Sequence, residues 1–210
     1  MDAFEVINTT RAMRRLKTDD VPDDLIWKVL EAAIRAPSGG NRQPWAFMVI
    51  RDAETKRKIG AWYLEAWNAT YGKAKETVTA DAQGARMYGS ADHLANHLAE
   101  VPVLILAMVR SGAVGTSPSG SYIYPAVQNL MLAARALGLG TTLTTLHRTH
   151  EADVKALLGI PDEIETMALI PMGWPEGKFG MGPRRPVEEV THWESWGRRG
   201  SHRKSQNITT

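Results

Sequence analysis

The chain of 210 residues contains no cysteine. This absence excludes disulfide bonds, thiolate metal sites and a cysteine nucleophile, and it fits a reducing compartment. No apolar run approaches the roughly 18 residues that cross a membrane, and the first five residues lack the basic-then-apolar order of a signal peptide. We therefore expect a soluble, cytoplasmic protein without a membrane partner.

Acidic residues are absent from the last 13 positions, whereas the whole chain has a net charge of +2. The four basic residues of this tail, Arg198, Arg199, Arg203 and Lys204, leave about two net negative charges elsewhere, so the body is not a nucleic-acid surface. The tail 198–210 is polar and has no apolar period, which predicts disorder. Weak contact with anions or membranes is the alternative for the tail.

The remaining 197 residues suit one α+β domain, because the chain is long enough for one substantial core and helical and strand patterns are mixed along it. Apolar spacing, caps and β-branched runs predict the elements. The predicted helices run from Ala3 toward Met13, from Pro22 to Arg35, from Asp52 through Trp67, up to Glu100, from Tyr124 to Leu137 and from His150 to Leu158. The predicted strands are Trp45–Ile50, Pro102–Val109, Thr141–Leu146 and Thr166–Met172.

Two segments have few apolar residues. Residues 72–89 are polar and small, which is typical of a mobile lid, and equally of an exposed loop or helix without a catalytic role. Residues 112–121 are rich in glycine and serine. We interpret them as a flexible connection and not as a phosphate cradle, because the lysine and spacing of a P-loop are missing.

The most informative stretch is the loop from Ala36 to Trp45, between a predicted helix and a predicted buried strand. Its prolines stiffen both ends, its glycines permit close approach of the backbone, and Asn41, Arg42 and Gln43 supply donors and acceptors. Such a loop could hold a planar polar ligand. The same residue types also form ordinary connections from helix to strand, so the loop alone leaves both interpretations open.

Arginines occur in two clusters, Arg11 with Arg14 and Arg15, and Arg184 with Arg185. A guanidinium group stays charged and binds phosphate through a fork of donors. Each arginine taken singly could equally be a solvated surface charge.

Two histidines, His147 and His150, lie near Asp153. They lack a convincing third ligand, so we expect a helix-capping or surface role and no metal site.

The order of five motifs resembles that of the FMN-dependent nitroreductase family. These motifs are Thr10–Leu16, the loop 36–45, Gly138–Thr142, Pro171–Pro175 and Pro183–Val190. The resemblance implies a nitroreductase-like α+β fold, with a central, mostly antiparallel sheet flanked by helices. It also implies an intertwined homodimer with two FMN sites at the interface.

The resemblance further assigns roles to residues. Arg11 would approach the FMN phosphate, Arg14 the pyrimidine edge, and Arg184 would complete the phosphate clamp, with Arg15 and Arg185 facing outward. The backbone N–H of Thr145 would face flavin N5, and several loop residues would reach the flavin from the partner subunit. No side chain is an obligatory acid or base, because the flavin carries the hydride. The implied cofactor-binding set is Arg11, Ala12, Arg14, Pro37, Ser38, Gly39, Asn41, Leu143, Thr144, Thr145, Leu146 and Arg184.

The chain departs from the family pattern at two places. Many relatives have two arginines and a serine where this chain has Thr10, Arg11 and Ala12, so a cation and a phosphate-binding hydroxyl are missing. Where relatives often have paired glycines near N5, this chain has Thr145 and Leu146, which should narrow the pocket.

The function implied is an FMN-dependent NAD(P)H oxidoreductase. It would reduce nitroaromatic compounds, quinones or similar electron-poor small molecules by a ping-pong mechanism, with NADH or NADPH as the donor. Two alternatives stay open. One is a dehalogenase-like or oxygen-using enzyme of the same family, and the other is a non-enzymatic protein that stores or senses FMN.

Overall fold

A four-stranded antiparallel sheet in the order β1-β2-β4-β3 is the centre of the molecule. In this computed structural model residues 1–73, 75, 79–110 and 120–200 are described. The strands are β1 (Trp45–Ile50), β2 (Val103–Arg110), β3 (Gly140–Thr141) and β4 (Ile164–Gly173). The prediction of an α+β fold with a mostly antiparallel sheet flanked by helices is confirmed.

The described part of the chain contains six α-helices of seven residues or more beside the sheet. They are α1 (Ala3–Thr9), α2 (Asp23–Ala33), α3 (Ala53–Tyr71), α4 (Ala82–His97), α5 (Gly120–Ala136) and α6 (Glu151–Leu158). None of them is long and apolar enough to cross a membrane. The cytoplasmic location stays a prediction.

The central strand β2 is covered on both faces, because its residues from Val103 to Val109 are all buried. Its odd-numbered residues join a core with α2 and α5, and its even-numbered residues join a second core with α3 and α4. This division follows from the two-residue period of a strand. It also explains why β2 is a continuous apolar run without alternating polar residues.

The structure divides into two units, Met1–Gly180 and a second that begins at Met181 and is described to Gly200. The second unit contains a single turn of 3₁₀ helix, Val187–Glu189, and places Arg184 and Arg185 at exposed positions. The predicted domain 1–197 stays a prediction. Most of the predicted flexible connection 112–121 and of the tail 198–210 lies outside the described residues.

Helix α1 is shorter than predicted, since it ends at Thr9 and not near Met13. The hydroxyls of Thr9 and Thr10 donate back to the carbonyls of Glu5 and Val6, at 2.6 and 2.7 Å, and Thr10 is already extended. Local bonds of this kind are typical of helix ends. The next residues are then free to pair with β3.

The predicted strand over Thr141–Leu146 is also wrong, because β3 ends at Thr141. Its next partner on β4 would be Pro171, which has no N–H to donate. One bond remains there, from Thr142 N to the Pro171 carbonyl, at 3.4 Å. The chain then turns, and only Thr144 pairs again with β4, opposite Leu169.

The strand Trp45–Ile50 is found with the predicted bounds, and the other predicted elements are found with shifted ends. Asp52 caps α3 as predicted, since its carboxylate accepts from Thr55 N at 2.7 Å. Pro22 precedes α2 as its cap residue and is not its first helical residue. Residues 82–89, in the predicted lid, form the start of α4, where Asp81 accepts from Gln83 N and Gly84 N. A lid role for 72–89 stays a prediction.

Candidate functional site

A cavity of about 410 Å³ opens between α3, α4 and the turn that follows β3. One side is aromatic and apolar, and the other carries Arg14 and the threonines of the turn. The lining residues are Arg14, Tyr63, Trp67, Tyr71, Met87, Tyr88, Ala91, Leu94, Thr142, Leu143, Thr144, Thr145 and Leu146. We call this cavity, with its lining, the pocket region.

Arg14 reaches the pocket because its segment runs alongside the sheet. Ala12 pairs with Thr141 in a parallel bridge, and the N–H of Met13 donates to the Thr141 carbonyl at 2.8 Å. Further on, Lys17 N donates to Trp174 O, also at 2.8 Å. Burial lowers the pKa of Arg14, but a guanidinium group remains protonated in proteins. The pocket therefore contains a fixed positive charge.

The turn after β3 has two backbone N–H groups, those of Leu143 and Thr145, without an acceptor among the described residues. Thr144 uses both its N–H and its carbonyl with Leu169, at 3.0 and 2.9 Å, and its hydroxyl lies 3.0 Å from the Tyr63 hydroxyl. Among the described residues no acceptor is present for the N–H of Thr145, whose carbonyl accepts from Arg148 N. Thr145 itself is exposed. A ligand in the pocket region could accept a bond from this N–H.

The other predicted arginines have different surroundings. Arg11 is exposed, three residues before Arg14, and no described residue pairs with its guanidinium. Arg15 points elsewhere, with its Nη1 3.0 Å from His93 Nδ1, as expected for an outward neighbour. Arg184 lies in the second unit and donates to the carbonyl of Pro183 at 2.9 Å. That Arg184 and Arg11 bind the same phosphate stays a prediction.

The loop 37–43 is exposed and strongly bent, and we call it the loop region. Gly40, Asn41 and Gln43 have φ values of 59°, 54° and 49°, in the left-handed region that costs non-glycine residues about 1 kcal/mol or more. The Ser38 hydroxyl accepts from Gln43 N at 3.0 Å, and Gln43 Nε2 donates to Asn41 Oδ1 at 3.1 Å. These two hydrogen bonds stabilise the bent conformation from within the loop.

Gly39 packs closely against a side chain of α5. A Cβ there would lie 2.9 Å from the hydroxyl oxygen of Tyr122 on α5. The loop region is therefore seated against α5, on the α2 and α5 side of the sheet. The pocket region is lined by α3 and α4, on the other side.

The structure does not bring the two regions together within one chain. The loop leads into edge strand β1, whereas Thr144 pairs along the opposite edge of the sheet. Strands β2 and β4 lie between Met48 on β1 and Thr144. The two residues are therefore three strand spacings apart, about 14 Å. No residue of the loop region lines the pocket among those described. A ligand that binds both regions of one chain would have to span this separation.

The aromatic lining is the part that sequence reasoning missed. Trp67 is 6% exposed, yet it lines the pocket, and its indole N–H donates to Asp92 at 3.0 Å. Tyr63, Trp67 and Tyr71 lie at four-residue spacing along α3, which places them on one helix face. That spacing was the available signal.

His147 is buried, at 1% exposure, which corrects the expected capping or surface role. Neither ring nitrogen has a hydrogen-bond partner among the described residues, and burial lowers its pKa to about 4. His150 does precede α6, with its Nδ1 3.4 Å from Asp153 Oδ2. The described residues contain no group of three or more side chains that could hold a metal ion.

The family model described as the nitroreductase family matches residues 7–174. The chain belongs to the nitroreductase family. The match includes Arg11, Arg14, the loop region and the turn after β3, and it confirms the resemblance that the motifs indicated. This nitroreductase-family protein is an oxidoreductase.

Relatives and solved structures agree with that membership. An NADH dehydrogenase of Thermus thermophilus is 29% identical over 210 residues, with 92% of this chain and 96% of the relative covered. A crystal structure of oxidized iodotyrosine deiodinase bound to FMN and 3-iodo-L-tyrosine is 25% identical, with a TM-score of 0.72, and covers 88% of this chain and 95% of that one. A nitroreductase with bound FMN from Desulfitobacterium hafniense shares the fold, with a TM-score of 0.69 at 20% identity, covering 92% of this chain and 100% of that one.

Proposed function

We propose that the protein is an FMN-dependent NAD(P)H oxidoreductase that reduces electron-poor aromatic small molecules. The observation that carries the proposal is the pairing, in one cavity, of the Arg14 guanidinium with the unpartnered N–H of Thr145. Reduced flavin needs a positive charge near its pyrimidine edge and a donor toward N5. The pocket region supplies both types of group.

The donors of the pocket fit the ring system of FMN: Arg14 would hold the pyrimidine edge, and the turn Leu143–Leu146 would lie against the rings. Outside the pocket lining, Arg11 and Arg184 are proposed to bind the phosphate, with Ala12 beside it. When bound, FMN supplies hydride transfer. The chain then has to hold it, exclude water on one side and leave the other side open to substrates.

The aromatic side of the pocket indicates the shape of the substrates. The Trp67 ring lies 4.7 Å from the Tyr71 ring and 5.5 Å from the Tyr88 ring, measured between centroids. Such a surface favours planar rings. We infer that the nicotinamide of NADH or NADPH and a nitroaromatic or quinone acceptor occupy this space in turn, which gives ping-pong kinetics.

We further propose a homodimer in which the loop region completes the partner's pocket. Four large apolar side chains of α1, α2 and the residue that follows α2 are exposed, Phe4 at 77%, Ile7 at 54%, Trp27 at 66% and Ile34 at 46%. Exposed apolar patches of this kind mark interfaces. The loop region follows α2 directly, so a second copy seated on this face would receive Pro37, Ser38, Gly39 and Asn41.

Anaerobic spectroscopy tests the oxidoreductase proposal. The purified protein should show bound-flavin absorbance, or acquire it when FMN is added, and NADH or NADPH should bleach it. Addition of a nitroaromatic or a quinone should restore the colour. A protein that stays colourless in excess FMN would contradict the proposal, and bound FMN that neither nicotinamide reduces would support storage or sensing instead.

Reductive dehalogenation is the second candidate, favoured by the likeness to iodotyrosine deiodinase. It would use the same flavin site with a halogenated aromatic substrate. Release of halide from a halotyrosine or halophenol by the reduced protein, faster than reduction of a nitroaromatic, would favour this candidate.

A further inference from the structure

Arg135 is a buried cation outside the pocket region. It lies in the last turn of α5 and is 9% exposed. Its Nε donates to the Thr9 hydroxyl at 3.0 Å, and its guanidinium carbon lies 4.1 Å from the centre of the Phe179 ring. No carboxylate pairs with it among the described residues. Because burial of an unpaired charge is costly, its two contacts need an explanation.

Both contacts of Arg135 lie next to segments that lead to predicted phosphate ligands. Thr9 ends α1, two residues before Arg11, so the Cα atoms of Thr9 and Arg11 are within about 7 Å of each other. Phe179 is five residues before Arg184 in sequence. Arg135 therefore contacts the chain just upstream of both arginines of the proposed clamp.

The segment that carries Arg11 is held from both sides by one continuous run of chain. Arg135 binds Thr9 on one side, and Thr141 bridges Ala12 and accepts from Met13 N on the other. Arg135 and Thr141 are only six residues apart, at the end of α5 and in β3. Movement of either contact would shift Arg11 relative to the rigid turn that follows β3.

We propose that Arg135 is a positioning residue for phosphate recognition, which fixes Arg11 through Thr9 and orients the segment at Phe179. The role rests on the proposed FMN site. It predicts that Arg135 determines how strongly the protein prefers FMN over riboflavin, which has the same ring system and no phosphate.

The test compares dissociation constants for FMN and riboflavin, measured by fluorescence titration of the apoprotein. Arg135→Met, which keeps a long apolar stem, should weaken FMN about tenfold and riboflavin less than about threefold, since one charge-assisted hydrogen bond and its orienting effect are lost. Arg135→Lys, which can still donate to Thr9, should stay nearer to the wild type. Arg110→Met removes an exposed arginine elsewhere and should change neither constant.

A merely structural role would weaken both flavins equally, and that result would overturn the proposal. Unchanged preference for FMN in Arg135→Met would overturn it as well. If Arg135→Met does not fold, as judged by thermal unfolding, Thr9→Val removes the hydroxyl that accepts from Arg135, together with its bond to the Glu5 carbonyl, and should lower the preference for FMN in the same direction. A wild-type protein that binds neither flavin would instead defeat the proposed function.

Discussion

The pocket region and the loop region lie on opposite sides of one sheet and differ in how their backbone hydrogen-bonding groups are used. The pocket region is concave, has a positive charge and retains an unused backbone donor. The loop region is exposed, strained in the left-handed sense at Asn41 and Gln43, and held by its own hydrogen bonds. A strained loop that is rigid and exposed suits presentation to another molecule. This difference is the basis of the proposal that the loop of one copy completes the pocket of another copy.

The largest expected effect concerns the pocket region. Arg14→Ala should raise the FMN dissociation constant about a hundredfold, because a partly buried charged donor is lost. Arg15→Ala is the matched control, since the Arg15 guanidinium faces His93, and it should change the constant less than about threefold. Titration of the apoproteins with FMN measures both. Equal losses of FMN affinity in the two variants would mean that Arg14 contributes no more to FMN binding than Arg15 does.

Lowering the pH should destabilise the segment around His147, which adjoins the pocket region, more than the loop region. The pKa of His147 is about 4 in the folded protein and about 6.5 when unfolded, so between these values the unfolded chain binds more protons and stability falls as pH falls. From pH 7 to pH 5 this residue should remove about 2 kcal/mol from the free energy of unfolding.

Denaturant unfolding of wild type and His147→Leu at both pH values checks this prediction. The variant should lose about 2 kcal/mol less than the wild type. Hydrogen exchange at pH 5 should rise around Leu146–His150 more than around 37–43. Parallel pH profiles for the two proteins would refute the assignment of the buried neutral imidazole.

The loop region should show a smaller effect on flavin binding. Asn41→Gly removes the amide and tolerates the positive φ, and it should weaken FMN about tenfold, the equivalent of one or two hydrogen bonds. Gln43→Gly removes a neighbouring amide at a similar φ and should weaken FMN less, since Gln43 is outside the proposed contact set. A stronger loss for Gln43→Gly would reverse the roles of these two residues.

The smallest effect is expected at the contact between the turn and α3. Thr144→Val keeps the shape and removes the hydroxyl that pairs with Tyr63 at 3.0 Å, so it should cost about 1 kcal/mol of unfolding free energy. The N–H of Thr145 is unaffected by this change. Reduction of the bound flavin by NADH or NADPH, followed by stopped-flow absorbance, should therefore slow less than threefold.

Sequence patterns predicted the strands and caps that depend on local chemistry. β1 and β2 were predicted as buried strands from their apolar runs; β2 is buried, whereas β1 is mostly half-buried. Asp52 was predicted as a cap because aspartate favours that position, and its carboxylate accepts from Thr55 N. The end of β3 depends on Pro171, a residue of another strand. Effects of a distant partner are not visible in a local pattern.

The sequence predicted one part of the candidate site and missed another. Arg14 and the turn 143–146 were placed by motif order, and the structure brings them together in one cavity. The aromatic side was missed because Tyr63 and Trp67 have the spacing of ordinary core residues, and only packing against α4 opens a cavity beside them. The separation of the loop from the pocket follows from strand order, which no single motif contains.

A mixed-dimer experiment tests the central claim that each site combines two copies of the chain. Arg14→Ala alone and the double variant Ser38→Ala/Asn41→Gly should each be nearly inactive at low FMN. After subunit exchange of an equal mixture, verified by mass spectrometry, about half of the dimers are hybrids, and each hybrid has one fully wild-type site and one doubly altered site. About a quarter of the wild-type activity should therefore return. Hybrid dimers that form and remain inactive would contradict the account.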